Sequence, residues 1–259
     1  MEAVYMILFL IVGLFFGSFF AVVGIRLGRG ESFITGRSHC DTCHHPLAWY
    51  DLLPLVSFVS LKGRCRYCHS KISPLLFFIE LFTGLLFMIC YYSFGFSLDL
   101  LLAILAVSLT MIVMASDFTY MIISDEVLLF FSICFLLLQW CRLGVYGALL
   151  SLASGIVLFT LMYGLMCLGN FLFKKESLGG GDVKLLFVIG LVLDPILGLL
   201  TIFLASFMAL PISLILYHKN KEKMIPFGPF LLIALLILLF SKITPPEILS
   251  LLASNPLLF

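Results

Sequence analysis

Four cysteines fall in two Cys-x-x-Cys pairs, Cys40-Asp-Thr-Cys43 and Cys65-Arg-Tyr-Cys68. Two such knuckles, about twenty residues apart, bring four soft, deprotonated sulfurs into a tetrahedron that suits Zn²⁺ and leaves no position for water. Cys40, Cys43, Cys65 and Cys68 therefore predict a structural zinc site rather than a catalytic one. Redox-active thiols, a different metal or two disulfides are the other chemistries open to the same residues, and disulfides would require an oxidising compartment. His39, His44, His45 and His69 stand close by. Because four cysteines already close a site, these histidines read as solvated loop residues. Cys90, Cys134, Cys141 and Cys167 fall in apolar runs without knuckle spacing, where a lone cysteine behaves as a small hydrophobe.

Two carboxylates form the second candidate. Asp117 ends the apolar run 101–116, and Asp182 ends Gly179-Gly180-Gly181-Asp182. Carboxylates at the ends of membrane helices are costly and usually functional. The three glycines, having no side chains, would let a substrate strand approach beside Asp182, so Gly179, Gly180 and Gly181 are candidate substrate-binding residues. Two carboxylates held close share one proton and titrate as a unit. The ionised member can then draw a proton from water while the protonated member polarises a scissile carbonyl, which is aspartyl hydrolysis. The plainer roles are an interfacial helix-end residue for Asp117 and an N-cap for Asp182. Asp125 competes for a catalytic role but is expected to cap the helix starting near Glu126. Lys174, Lys175 and Lys184 flank the glycine run, either holding lipid phosphates or substrate carboxylates or setting topology by their charge. Pro226-Phe-Gly-Pro229 opens the last apolar run as a helix-start signal.

The elements that must position these groups are membrane helices. The 259-residue chain is 63% hydrophobic and 11% charged, far from the composition of a soluble domain. Apolar runs near 4–25, 74–93, 98–116, 126–141, 146–172, 183–193, 196–217 and 226–241 predict an all-α polytopic membrane protein of about eight transmembrane helices. The 183–193 run is short enough to be a re-entrant segment instead. The first run is too long for a signal peptide, lacks a small-residue cleavage site and stays as helix one. With eight spans, one side collects Arg26, Arg29, Arg37, Lys62, Arg64, Arg66, Lys71, Lys174, Lys175, Lys184, Lys219, Lys221 and Lys223. The other keeps Arg142 and Lys242, and that asymmetry puts the basic side in the cytoplasm and both termini outside. No basic run suits nucleic acid, and lipid is the expected surroundings. The domains are transmembrane helix 1 at 1–27, a cytoplasmic cysteine module at 28–73 and a transmembrane domain at 74–259 that carries both aspartates. The apolar link 52–59 inside the module predicts that it lies against the membrane or the helical bundle.

Read together, these residues resemble the type IV prepilin peptidase family, bacterial membrane aspartyl proteases. The resemblance rests on Gly17-Ser-Phe-Phe with Arg26-Leu27, the four knuckle cysteines, Trp49-Tyr-Asp-Leu-Leu-Pro54 and Gly63-Arg-Cys65. It continues through Asp117 with Ile123-Ser-Asp125, Gly179-Gly-Gly-Asp-Val-Lys-Leu185 and Ile225-Pro-Phe-Gly-Pro229, and so runs over nearly the whole chain. It implies that Asp117 and Asp182 are the catalytic pair, that the cysteines belong to a zinc-binding cytoplasmic domain, and that the active site faces the cytoplasm of a bacterial cell membrane. The implied substrates are prepilins and pseudopilins, cut between a basic leader and a hydrophobic helix. Many members then methylate the new N-terminus with S-adenosylmethionine, an activity linked to the N-terminal part. Ala21, Gly28 and Ser124 depart from the family's usual asparagine, proline and proline, and Ala21 weighs on methylation more than on cleavage. The compact loop resembles versions in Gram-positive competence and pilus systems. The rival readings are an ion or metal transporter with intramembrane carboxylates and a non-catalytic pilus-assembly scaffold.

Overall fold

The computed structural model describes residues 1–34, 36–174, 179–219 and 226–247. Lys175, Lys221 and Lys223 of the basic set and Ile225 of the last motif lie outside the described residues. Among the described residues the chain is all-helical: α1 (Glu2–Gly28), α2 (Val56–Ser60), α3 (Pro74–Phe94), α4 (Leu98–Tyr120), α5 (Asp125–Phe173), α6 (Gly180–Val192), α7 (Pro195–Lys219) and α8 (Gly228–Ser241), with a short 3-10 helix at Trp49–Leu52. Five helices, α1, α3, α4, α5 and α7, are long and apolar enough to cross a membrane. The runs 126–141 and 146–172 are joined within α5 at Gly144, whose φ of 72° and ψ of −173° lie in a region that is essentially glycine-only. The backbone leaves helical geometry at this one residue, so the two runs are two helices meeting at a kink. The 13 residues of α6 and the 14 of α8 span only about 20 Å each at 1.5 Å per residue, short of a hydrocarbon core of about 30 Å. The 183–193 run is accordingly a short helix that does not span a bilayer by its own length.

The chain divides into two compact units, Met1–Ser124 and Asp125–Phe259. In the first, α1 packs along α3 and α4 because its facing positions are glycine. A Cβ at Gly13 would lie 2.8 Å from the Gly84 Cα, at Gly17 2.8 Å from the Glu80 Cα, and at Gly24 2.5 Å from the Ile112 carbonyl oxygen. This is the small-xxx-small device by which membrane helices bring their backbones together. It sets Glu80 of α3 directly against α1.

In the second unit α5 holds α6. The end of α6 is buried, so its last carbonyls need donors that water does not supply. Gln139 Nε2 donates to the Leu191 carbonyl at 3.1 Å and Ser154 Oγ to the Leu193 carbonyl at 2.8 Å, and Arg142 donates to Gln139 Oε1 at 2.8 Å. These two side chains, one from each half of α5, explain how so short a helix ends inside the protein. Gln139→Leu leaves a buried carbonyl unpaired and is expected to cost about 1–3 kcal/mol, read as a fall of about 2–4 °C in thermal midpoint per kcal/mol. Gly190 is tighter still, since a Cβ there would lie 2.6 Å from the Gly155 Cα and 2.9 Å from the Ser154 carbonyl carbon. All the nearest atoms are backbone and none can rotate away. Gly190→Val should therefore destabilise the unit by about 1–3 kcal/mol, visible as the same midpoint loss in detergent.

Candidate functional site

The two knuckles are one structure used twice, offset by 25 residues in numbering from Cys40 to Cys65. In the first, Cys40 N–H donates to the His45 carbonyl (3.1 Å), His44 N–H to the Cys40 carbonyl (2.8 Å) and Leu47 N–H to the Ser38 carbonyl (2.8 Å). In the second, Cys65 N–H donates to Ser70 (2.9 Å), His69 N–H to Cys65 (3.0 Å) and Ile72 N–H to Gly63 (2.8 Å). Each turn places the residue after its second cysteine in the left-handed region, His44 at φ 55° and His69 at φ 58°. The histidines after the cysteines are thus turn residues, and among the described residues the cluster of ligand-capable atoms contains only the four cysteines.

The four sulfurs lie within 4.8 Å of one another, and Cys40 and Cys68 Sγ are 3.7 Å apart. Tetrahedral zinc with bonds of about 2.3 Å separates its sulfurs by about 3.8 Å, so the thiols are spaced for the metal. All eight cysteines are free of disulfides. The thiolate form is already favoured at two of them. The backbone N–H groups of Cys43 and then Thr42 hold Cys40 down to about 6, and the Ser70 hydroxyl and backbone pull Cys68 below its ordinary value.

The segment strung between the knuckles forms a platform. Asp51, its side chain 3% exposed, accepts from Arg66 Nε at 2.7 Å and from the Ala48 N–H at 3.3 Å. Leu55 then adopts φ 59° and ψ −44°, a strained conformation for a leucine that costs about 1–3 kcal/mol. It is held there because its N–H donates to Glu80 Oε2 of α3 at 2.8 Å. Glu80 also receives a hydrogen bond from Ser18 of α1, and Phe58 of α2 meets the Phe77 ring of α3 with centroids 5.1 Å apart. The apolar link thus meets the helical bundle through Leu55 and Phe58, while Leu52, Val56 and Val59 stay exposed. Beneath the module is a cavity of about 340 Å³ lined by Ser18, Leu52, Ser57, Phe77, Glu80 and Tyr120, among others. Arg29 closes one side by bonding Asp41 at 3.0 Å and the Tyr120 hydroxyl.

Asp117 and Asp182 belong to different compact units. Asp117 lies in the last turn of α4 and is 5% exposed; among the described residues no hydrogen bond or ion pair reaches its carboxylate. The helix stops just beyond, where Met121 turns left-handed at φ 56° and donates its N–H to the Asp117 carbonyl at 2.9 Å. Asp182 is not the N-cap of α6. That position is Gly179, and Asp182 sits in the first turn with its N–H donating to the Gly179 carbonyl at 3.1 Å, where the positive end of the helix dipole favours a carboxylate.

The glycines owe their place to room rather than to unusual backbone angles. Gly179 is extended at φ −67°, ψ 133°, and Gly180 and Gly181 are helical. A Cβ at Gly179 would lie 3.2 Å from Asp182 Oδ2, while one at Gly180 would meet nothing within 4 Å. Gly179 keeps the carboxylate uncrowded and Gly180 leaves its flank open. Asp125 also departs from expectation. It opens α5, but both of its carboxylate oxygens receive Lys184 Nζ at 2.7 Å, an exposed pair worth at most about 1 kcal/mol.

Membrane-length helices carrying a four-thiol centre define a multi-pass membrane protein with a metal-type module between its first two long helices. The chain belongs to the type IV leader peptidase family. Residues 11–94 match the family described as Bacterial Peptidase A24 N-terminal domain, and residues 103–214 match the Type IV leader peptidase family. A prepilin leader peptidase/N-methyltransferase of Bacillus subtilis (strain 168) is 35% identical over 188 residues, covering 71% of each chain. The protein of the same name in Vibrio cholerae is 32% identical over 265 residues, covering 93% of this chain and 98% of the relative. A third, from Myxococcus xanthus, is 34% identical over 183 residues, 70% of this chain and 53% of its own length. No solved structure matches the chain.

Four features escaped sequence reasoning. Glu80 was detectable as the one carboxylate inside the apolar run 74–93, and the Gly13-x-x-x-Gly17 spacing was likewise there to read. The Leu55 strain and the cavity have no sequence signal, because both depend on how the module folds back onto α1 and α3.

Proposed function

We propose that this protein releases the leader from type IV prepilins and pseudopilins at the cytoplasmic face of the bacterial cell membrane, with Asp117 and Asp182 as its two catalytic carboxylates, and then N-methylates the exposed amino terminus. The observation that carries the reading is Asp117, a carboxylate 5% exposed at the end of an apolar helix, in a chain whose relatives bear both activities in their names. One carboxylate, ionised, takes a proton from the attacking water. The other donates a hydrogen bond to the scissile carbonyl and then passes its proton to the leaving amine. Gly179, Gly180 and Gly181 leave room for the substrate backbone beside Asp182. Leader and mature helix separate at the membrane surface, and the mature part stays in the lipid.

Cys40, Cys43, Cys65 and Cys68 would hold zinc as a closed structural site, fixing the module on the bundle. S-adenosylmethionine, when bound, supplies a sulfonium methyl group for the second activity. The functional division follows transmembrane helix 1 at 1–27, the cysteine module at 28–73 and the peptidase domain at 74–259, with about eight membrane segments if the short α6 and α8 are counted and α5 is taken as two. Nucleic acid has no part in this reading. Nor does a transport path find support. The buried hydroxyls of Thr83, Ser108, Thr110, Ser116, Ser132 and Thr201 each donate to a carbonyl of their own helix, and the buried Gln139 and Ser154, which do reach across, are taken up by the last carbonyls of α6.

The test is the N-terminal mass of a cognate prepilin made together with this protein. Loss of the leader and gain of one methyl group are expected; an intact leader would overturn the reading and favour the scaffold.

A further inference from the structure

The 340 Å³ cavity beneath the cysteine module is not needed for peptide hydrolysis by two aspartates, and it contains a carboxylate that hydrolysis does not use. Glu80 stands at the junction of three elements, bonded by the Leu55 N–H of the platform at 2.8 Å and by Ser18 of α1, and it lines the cavity. A carboxylate offers about four lone-pair positions, so these two bonds fix its orientation and leave capacity for a ligand. A helix surface packed on glycine would be a poor place for a carboxylate whose only task was to accept one backbone N–H, since a neutral acceptor does that at lower desolvation cost. The cavity is also the right scale for a small polar ligand, within the roughly 300–1,000 Å³ of such sites, and its lining mixes apolar residues such as Leu52 and Phe77 with Glu80, Tyr120 and charged residues of both signs, the cations Arg29 and Arg66 being taken up by Asp41 and Asp51.

We infer that this cavity holds the free α-amine of the processed pilin for methylation, with Glu80 as the catalytic carboxylate that binds the ammonium and takes its proton. The inference rests on the methylation reading above. An α-ammonium cannot attack carbon until it loses a proton. Glu80 accepts that proton, the amine lone pair forms the new N–C bond to the methyl of a sulfonium donor, and the C–S bond breaks with its electron pair left on sulfur as a neutral thioether. The methylated nitrogen then carries the positive charge and sheds a proton to water. The apolar walls suit the hydrophobic first side chain of the mature pilin. The strained Leu55 has a role in this picture, because it is the residue through which the module locks the carboxylate in place.

Glu80→Gln separates the two possible roles of the side chain. The amide oxygen still accepts the Leu55 N–H, so the platform stays docked, and only the charge and the basicity are lost. Binding of a synthetic mature-pilin peptide with a free α-amine, and of its N-acetylated counterpart, is measured by fluorescence anisotropy on the full chain in nanodiscs, alongside the methyl content of pilin processed in cells. The wild-type protein is expected to prefer the free amine by about tenfold or more. Glu80→Gln should abolish that preference and lower methylation by about 100-fold or more, with its thermal midpoint as the fold check. Ser57→Phe, which fills the cavity and leaves Glu80 intact, should remove the preference as well and keeps the test open if Glu80→Gln does not fold. Wild-type methylation and amine preference in folded Glu80→Gln would overturn the inference and leave Glu80 a clamp. If the wild-type chain cleaves but adds no methyl group, the methylation reading fails by itself. An amine preference that Glu80→Gln removes then still supports the cavity, and no preference sinks it.

Discussion

Asp117→Asn and Asp182→Asn are each expected to abolish leader release, lowering the rate by about 10³-fold or more, within the range that a positioned acid or base contributes. Asparagine keeps the shape of the side chain and removes its ability to gain or lose a proton. At Asp117 the change also swaps a buried carboxylate, 5% exposed, for a neutral group, so the variant should be no less stable than the parent. A loss of activity without a loss of stability is the signature of a catalytic group. At Asp182 the dipole of α6 makes the opposite demand, and asparagine there gives up about 0.3–1 kcal/mol. The measurement is N-terminal mass of the prepilin with thermal unfolding of the purified variants in parallel. Normal cleavage by either variant would remove that residue from the mechanism.

Removing the metal should have the next largest effect. Structural zinc contributes on the order of 10–16 kcal/mol of apparent binding free energy that is also folding free energy. Cys65→Ala removes the one ligand that is buried, at 4% exposure. The variant is expected to lose its zinc, as read by elemental analysis, and to expose residues 28–73 to limited proteolysis, while α1, α3 and α4 keep their glycine-mediated packing. Methylation should disappear with the module. Acid should do the same reversibly. Cys40 is held at about 6 against an ordinary 9.0, so its thiolate supports the fold fully above 9 and ceases to as pH falls through 6. Because protons compete with the metal for all four thiolates, zinc release should accompany acidification and reverse when the pH is restored. A module that stays protease-resistant with no metal bound would show that the thiols are not a folding clamp.

The helices and the cysteine knuckles were readable because each depends on local pattern. A run of apolar residues or a Cys-x-x-Cys pair carries its own physics wherever it falls, and the helices α1, α3 and α4 begin and end within a few residues of their runs. Gly144 marks the limit of that reading. The sequence shows a glycine between two apolar runs, but a single residue in a glycine-only conformation replaces the loop expected there. α6 was the harder case, since its short length is tolerable only because Gln139 and Ser154, 52 and 39 residues before the carbonyls they meet, reach it from α5. Asp125 was misread for a similar reason. Its position at a helix start is local information, whereas its choice of Lys184 over the backbone is not.

The platform that carries Leu55 is tied to the rest of the protein at both ends by the same four sulfurs, one knuckle before it and one after. Anything that grips the platform from below is therefore energetically linked to whatever the sulfurs hold above. Such linkage is reciprocal by thermodynamic necessity: if filling the cavity tightens the metal by some factor, the metal tightens the cavity's occupant by the same factor. Zinc supply would then set the affinity of a cavity whose wall includes two of the metal's own ligands, Cys40 and Cys65.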